Sequence, residues 1–102
     1  KLMKLAFIII PHETKLGSMK KLLSNTIDKF YIEFGGCTHY PVTGIWKGHL
    51  DGLPCEKIEV ALEDNEQSEF TDICTDVAME CGSLYVMVQY PGGDIQFIKG
   101  AN

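Results

Sequence analysis

The chain has 102 residues, of which 45% are hydrophobic and 23% are charged, and its formal net charge is −5. This composition predicts one globular domain over residues 1–102, with no apolar run long enough to cross a bilayer. Beyond Lys20 and Lys21 the basic residues are not clustered. The sequence therefore lacks the positive surface that a nucleic-acid-binding protein needs, and its acidity is compatible with a cationic small ligand.

Residues 2–10 are predicted to form the first strand, and both faces of this strand are apolar. Side chains of one face alternate with those of the other, in the order Leu5, Ala6, Phe7, Ile8, Ile9 and Ile10. Two apolar faces are typical of a strand that is covered on both sides of its sheet. Two helices in a chain of this length can cover only one side. We therefore expect another subunit to cover the second side.

Apolar residues at helical spacing predict two amphipathic helices. The first helix is expected to begin near Met19, with Ser18 as its N-cap, and to end before residue 35. Asp64 and Gln67 fit a capping box at the start of the second helix, which is expected to end at Gly82.

The remaining segments are predicted to be strands and turns. Strands are predicted over residues 37–45, 56–63 and 84–90, where the side chains either are apolar or alternate between apolar and polar. A turn-rich hairpin tip is predicted over residues 47–54, and a short last strand over residues 95–98. The order β-α-β-β-α-β, with one further strand, predicts an α+β ferredoxin-like sandwich. In this fold two helices pack on one face of an antiparallel sheet.

Residues 35–60 hold the only Trp, two of the three His and two of the four Cys. Cys37 and His39 lie two apart on a predicted strand, with His49 in the following loop, so a metal site is conceivable. However, no CxxC or HxxxH pair is present, and we expect neither a metal nor a cofactor. Cys37 or Cys55 beside His39 lacks any motif of an activated nucleophile. Without paired spacings, the thiols are expected to be reduced, as in a cytosol.

Three further residues in this stretch allow two interpretations each. Tyr40 and Trp46 are suited to stacking on a flat ring or to binding a cation, but they equally suit a core or a subunit interface. Glu56, at the start of an apolar strand, is either a solvated rim residue or a carboxylate that faces a cleft and pairs with a positive ligand.

The segment Thr43-Gly44-Ile45-Trp46-Lys47, followed by Pro54, Glu56 and Val60, resembles the central motif of the bacteriophage S-adenosylmethionine lyases, formerly described as hydrolases. The family pattern is Thr-Gly, one residue, an aromatic, a basic residue, and a loop leading to Pro, Glu and a Val-rich strand. The segments Leu84-Tyr85-Val86 and Phe97-Ile98-Lys99-Gly100 are also similar to later parts of the family. Trp46 stands where the family has Tyr, so this position has no hydroxyl.

The resemblance implies a PII-like homotrimer with ligand sites between subunits. The implied reaction splits S-adenosylmethionine into 5′-methylthioadenosine and homoserine lactone, without metal or cofactor. Glu56 is then the essential residue, and it holds the ligand rather than acting as a base. Tyr40 and Trp46 shape the adenosine pocket, and Thr43 and Gly44 offer hydroxyl and backbone groups. His12 is expected to line the same cleft from a neighbouring subunit.

A phage origin, action in the host cytoplasm and an anti-restriction role, by depriving host methyltransferases of their methyl donor, are likewise implied only by the resemblance. Two alternatives stay open. One is a non-catalytic PII-like trimer that binds or sequesters an adenine nucleotide, which would retain its ligand unchanged. The other is a structural or interaction protein, which no adenosine ligand would stabilise.

Overall fold

The structure, a computed structural model, describes residues 2–83 and 85–100. Leu84, where the sequence predicted the start of a strand, lies outside the described residues. The elements are, in chain order, β1 (Lys4–Pro11), β2 (Glu13–Thr14), β3 (Gly17–Ser18), α1 (Lys20–Phe34), β4 (Thr38–Trp46), β5 (His49–Leu62), a 3-10 turn (Asp64–Glu66), α2 (Gln67–Cys81), β6 (Tyr85–Gln89) and β7 (Ile95–Lys99).

Five strands form one antiparallel sheet in the order β4-β5-β1-β6-β7, and β2 pairs only with β3. The first strand is therefore central, with β5 on one side and β6 on the other. This is the ferredoxin-like topology that the sequence predicted, with β7 added at one edge.

One face of the sheet packs against both helices and forms the core. Ala6, Ile8 and Ile10 of β1 are fully buried in the same cluster as residues from α1 and α2. Phe30 of α1 lies 5.7 Å from Phe70 of α2, measured between ring centroids, and neither side chain is exposed. The helices thus cover one face of the sheet, as predicted, and Phe30 and Phe70 join them through an aromatic contact.

The opposite face, called here the open face, is uncovered in the single chain and is largely apolar. Its side chains alternate with those of the core along each strand. The side chains of five open-face residues are between 39% and 55% exposed, and none belongs to the core that the helices cover: Leu5, Trp46, Tyr85, Ile95 and Phe97. Exposed apolar surface on a sheet face is typical of a surface that contacts another molecule.

Two predicted connections differ from the structure. Residues 13–18, between the predicted first strand and first helix, form the β2–β3 hairpin, where the Thr14 hydroxyl donates to the Cys81 carbonyl at the end of α2. Residues 47–54 were expected to be a long tip, but β5 already begins at His49. Gly52 and Pro54 suggested a turn, yet both lie within β5. Pro54 pairs with Thr43, and its carbonyl accepts from the His12 amide. Gly52 adopts a φ of +88° in the irregular stretch opposite Gly44 to Trp46.

The helix starts also differ by one residue from the prediction. Met19 is the N-cap of α1, and the predicted cap, Ser18, accepts from the Lys20 amide at 3.2 Å instead. The capping box before α2 joins Glu63 and Glu66 around the 3-10 turn rather than Asp64 and Gln67. Both helices end immediately before a glycine, as predicted.

Within residues 2–83 and 85–100, neither helix is long and apolar enough to span a membrane.

The Phe30 contact yields a stability prediction. Phe30→Ala removes a fully buried ring from the helix–sheet core, and we expect the free energy of unfolding to fall by about 3–5 kcal/mol. Tyr31→Ala is the matched control, because the Tyr31 side chain is 68% exposed, and its effect should stay within about 0.5 kcal/mol. Urea unfolding at one fixed protein concentration measures both. Equal effects in the two variants would contradict the assignment of the core.

Candidate functional site

A carboxylate and two imidazoles meet on the helix-covered side of the sheet, near its end. Glu56 of β5 pairs with Ile10 of β1 and with Pro41 of β4. His12 follows Ile10 by two residues and His39 precedes Pro41 by two, so alternation points both imidazoles to the same face as Glu56. We call these three residues, Glu56, His12 and His39, the Glu56 cluster.

Hydrogen bonds hold the carboxylate of the cluster at both oxygens. The distance from His12 Nε2 to Glu56 Oε1 is 2.8 Å, and the distance from His39 Nδ1 to Glu56 Oε2 is 2.6 Å. An ionised carboxylate can only accept, so each imidazole donates from the nitrogen that faces it. The Glu56 side chain is 13% exposed, whereas those of His12 and His39 are 38% and 47% exposed.

The environment of Glu56 favours its ionised form. Burial alone raises the pKa of its carboxyl, but the hydrogen bonds and charges of His39 and His12 together outweigh burial and hold that pKa below the ordinary value of 4.5. Near neutral pH the cluster therefore contains a carboxylate anion that is largely buried and held in one orientation. The carboxyl is already ionised before a ligand binds.

Two cavities, each of about 440 Å³, adjoin the cluster and share His12. The first, called here the α1 cavity, lies between the cluster and the first helix, and both Glu56 and His39 line it. The second, the hairpin cavity, lies beside the β4–β5 hairpin, and Thr43 and Asp51 line it. A cation in the α1 cavity would therefore lie beside the Glu56 carboxylate.

The other predicted site residues lie on the opposite side of the sheet. Trp46 lines an open-face cavity of about 730 Å³ together with Ile9 and Phe97. The Trp46 and Phe97 rings meet edge to face, with centroids 6.0 Å apart. Most of the wall of this cavity is apolar, and among its lining residues Lys47 and His49 supply basic groups.

Tyr40 already has polar and cationic neighbours within its own chain. Its hydroxyl donates to Glu59 Oε2 at 2.9 Å, and the Lys57 ammonium lies 5.9 Å from the centre of its ring. The same ammonium lies 4.1 Å from the centre of the Phe7 ring and 3.3 Å from Glu59. The sequence suggested that the Tyr40 ring could attract a cation. In the single chain, the Lys57 ammonium is a cation near that ring.

Gly44 has a packing role that the sequence did not show. A Cβ at this position would lie 2.7 Å from Trp46 Nε1 and 3.4 Å from Cys55 Sγ. The strand pairing is also irregular between Gly44 and Trp46. Only a residue without a side chain lets the Trp46 ring fold back over the backbone here.

The predicted residues therefore divide into two groups. Glu56 and His12 are in contact and Thr43 lies in the adjoining cavity, whereas Tyr40 and the Gly44–Trp46 pair are on the open face. His12 was expected to reach the cleft from a neighbouring subunit, but it contacts Glu56 of its own chain. One chain alone does not bring the six predicted residues into one cleft.

His39 is the residue whose place in the cluster the sequence did not reveal. It was weighed as a ligand or as the partner of a thiol. Its contact with Glu56 depends on the register between β4 and β5, which pairs Pro41 with Glu56 and leaves His39 as the diagonal neighbour. Alternation placed His39 and Pro41 on one face, so the missing information was the pairing of the strands.

The alternative chemistry considered for the thiols finds no geometric support among the described residues. No group of three or more His, Cys, Asp and Glu there is arranged to hold a metal ion. His49 pairs with Trp46 at the hairpin tip, far along β5 from the partner of His39, Ile58. Burial raises the pKa of the Cys37 and Cys55 thiols, which disfavours the nucleophilic thiolate.

The lowered pKa of Glu56 predicts a specific pH dependence of stability. A carboxyl whose pKa is lower in the folded state stabilises that state above the pKa of the unfolded chain, and this contribution is lost as pH falls through the folded value. The stability difference between the native protein and Glu56→Gln should therefore shrink as pH falls below about 4.5, the ordinary pKa of the carboxyl. Urea unfolding of both proteins from pH 7 to pH 3 measures it. A difference that does not change down to pH 3 would contradict the ion pairing.

No protein-family profile and no curated protein sequence matches this chain. Among solved structures, the chain is similar to a phage SAM lyase in its apo state, with a TM-score of 0.66 and 13% sequence identity. The likeness covers 95% of this chain and 90% of that chain. At this identity the likeness concerns the fold, and the chain shares it with the phage SAM lyase over nearly its whole length.

Proposed function

We propose that the protein is an S-adenosylmethionine lyase, which forms 5′-methylthioadenosine and L-homoserine lactone. The observation that carries the proposal is the Glu56 carboxylate, held ionised beside a cavity. It lies at the position of the motif glutamate by which the sequence resembles these lyases. The likeness of the whole fold to that of a phage SAM lyase supports the same assignment.

The reaction requires few groups from the protein. A carboxylate oxygen of the substrate attacks its own Cγ, the Cγ–S bond breaks, and the bonding pair goes to sulfur as a neutral thioether. No proton is transferred, and no external nucleophile or metal takes part. The protein must fold the methionine part into a conformation close to attack and exclude competing water.

Glu56 has the properties of a group that holds a cation rather than of a base. Its carboxylate is ionised, and the two imidazoles occupy one oxygen each. An anion beside the α1 cavity attracts the sulfonium, and the attraction is strengthened by partial burial. Since the sulfonium charge disappears during the reaction, too strong an attraction would slow catalysis. His12 and Thr43, on the adjoining hairpin cavity, are the proposed contacts for the rest of the substrate.

The proposed sites lie between subunits of a homotrimer. Tyr40, Gly44 and Trp46 face away from Glu56 in one chain, so a shared site must receive them from a neighbouring copy. The apolar open face supports such an assembly, since an exposed surface of this kind is typical of subunit contacts. In the proposed role, the enzyme acts in the cytoplasm of a phage-infected host and removes the methyl donor of restriction-modification systems.

The decisive assay follows S-adenosylmethionine and its products by mass spectrometry, without added metal. Methylthioadenosine with homoserine lactone establishes the lyase. If only homoserine is found, ¹⁸O-labelled water separates two routes, because opening of the lactone labels the carboxyl group whereas direct hydrolysis at Cγ labels the hydroxyl. Unchanged substrate that raises the melting temperature would instead indicate the adenine-nucleotide-binding module.

Glu56→Gln tests the assigned residue. We expect turnover to fall by a factor of about 10³ or more, because the neutral amide removes the charge that holds the sulfonium, while the circular dichroism spectrum and the oligomeric mass stay unchanged. Glu69→Gln is the matched control, because Glu69 is an exposed carboxylate in the first turn of α2. Normal turnover by Glu56→Gln would remove this residue from the site.

The assembly has a direct test in solution. Light scattering after gel filtration should give three times the 11.4 kDa mass of one chain. Tyr85→Glu places a charge on the open face and should lower that mass, whereas Ile32→Glu, at an exposed position of α1, should not. A native mass equal to that of one chain would disprove the trimer.

A further inference from the structure

The Glu56 cluster has an unusual composition for a cation site. Its one carboxylate accepts hydrogen bonds from two imidazoles, and an imidazole is a group that can gain a proton. Both carboxylate oxygens are engaged, at 2.8 Å by His12 and at 2.6 Å by His39. With both imidazoles neutral the cluster carries one negative charge, with one protonated it is neutral, and with both protonated it carries one positive charge. The net charge of the cluster thus ranges from −1 to +1 while Glu56 keeps the same two hydrogen-bond partners.

From this geometry we infer that His12 and His39 determine the charge specificity of the site, admitting a sulfonium ligand only while the imidazoles are neutral. The inference rests on the proposed function and extends it. While both imidazoles are neutral, the cluster favours the cationic substrate over the thioether product, which has lost the sulfonium charge. When the imidazoles are protonated, that preference disappears. His12 and His39 are in this sense specificity-determining residues that act through the carboxylate of Glu56.

The surroundings of the cluster allow this assignment. The other charged side chains lining its two cavities are Lys20 and Asp28 of α1 and Asp51 of β5. Lysine and aspartate side chains ordinarily keep their charge between pH 5 and 8, the range in which imidazoles ordinarily titrate. Lys57 follows Glu56 in β5 and lies over the Phe7 ring on the open face, away from both cavities. Among the groups that line these two cavities, only the imidazoles are of a type whose charge ordinarily changes in this range.

The test compares two ligands that differ by one methyl group and one positive charge. Decarboxylated S-adenosylmethionine is a sulfonium without the carboxylate that would attack it, and S-adenosyl-3-thiopropylamine is the corresponding thioether. Calorimetric titration at constant ionic strength gives the ratio of their affinities from pH 5.5 to pH 8. We expect the preference for the sulfonium to fall by a factor of about ten as pH decreases over this range. A ratio that does not change with pH would overturn the inference.

Variants that keep the hydrogen bonds but cannot titrate separate charge from structure. In His12→Gln the amide nitrogen takes the place of Nε2, and in His39→Asn it takes the place of Nδ1, so both can still donate to Glu56. The double variant should keep the high-pH preference for the sulfonium at every pH. His49→Asn tests the third imidazole, which lines the open-face cavity together with Trp46. This variant should retain the native pH dependence, and loss of that dependence would assign the charge change to His49 and overturn the inference.

Each remaining outcome has a defined meaning. If the double variant still loses its preference at low pH, the titrating group lies elsewhere and the inference is wrong. Should the double variant not fold, His39→Asn alone must weaken the pH dependence, and an unaltered dependence overturns the inference. If the protein turns over S-adenosylmethionine but the ratio of the two affinities does not change with pH, the inference is wrong and the proposed lyase function stands. Absence of both turnover and binding of either ligand overturns the two together.

Discussion

The pairing of one largely buried carboxylate with two imidazoles is the interaction on which the candidate site of this protein depends. Removing Glu56 from water is unfavourable unless both of its oxygens accept hydrogen bonds. His39 lies in β4 and His12 directly follows the end of β1, so the contact requires both strands that flank β5 to be in the correct register. The cluster therefore links three strands at the place where two cavities meet. The hydrogen bonds from the two imidazoles both offset the burial of Glu56 and keep its carboxyl ionised.

The sheet separates two kinds of surface. On the helix side, buried aliphatic and aromatic groups form the core, and the Glu56 cluster lies at the margin of this layer. On the open face, Trp46 and Phe97 border a wide apolar cavity that no helix covers. Because successive side chains of a strand point to opposite faces, residues adjacent in the motif are divided between these surfaces. A site that uses both groups needs more than one chain.

The fold was predictable because its signals are local. Alternating apolar residues indicated the strands, helical spacing indicated α1 and α2, and their order left the ferredoxin-like topology as the natural solution. The misjudged segments have weak or misleading local signals. The β2–β3 hairpin has only two residues in each strand, too few for alternation to be recognised. Gly52 and Pro54 suggested a turn, although their neighbours in the folded chain accommodate both within β5.

The sequence by itself determined the alternation that puts His39 on the face of Pro41, and it marked Glu56 through a family motif. Only the tertiary structure decided that Pro41 and Ile10 lie opposite Glu56, which brings His12 and His39 to the same carboxylate. It likewise decided that the aromatic residues of the motif face away from that carboxylate. The physical reason is that side-chain period is a property of one strand, whereas register is fixed by pairing between strands distant in the chain, where burial of the core selects one alignment.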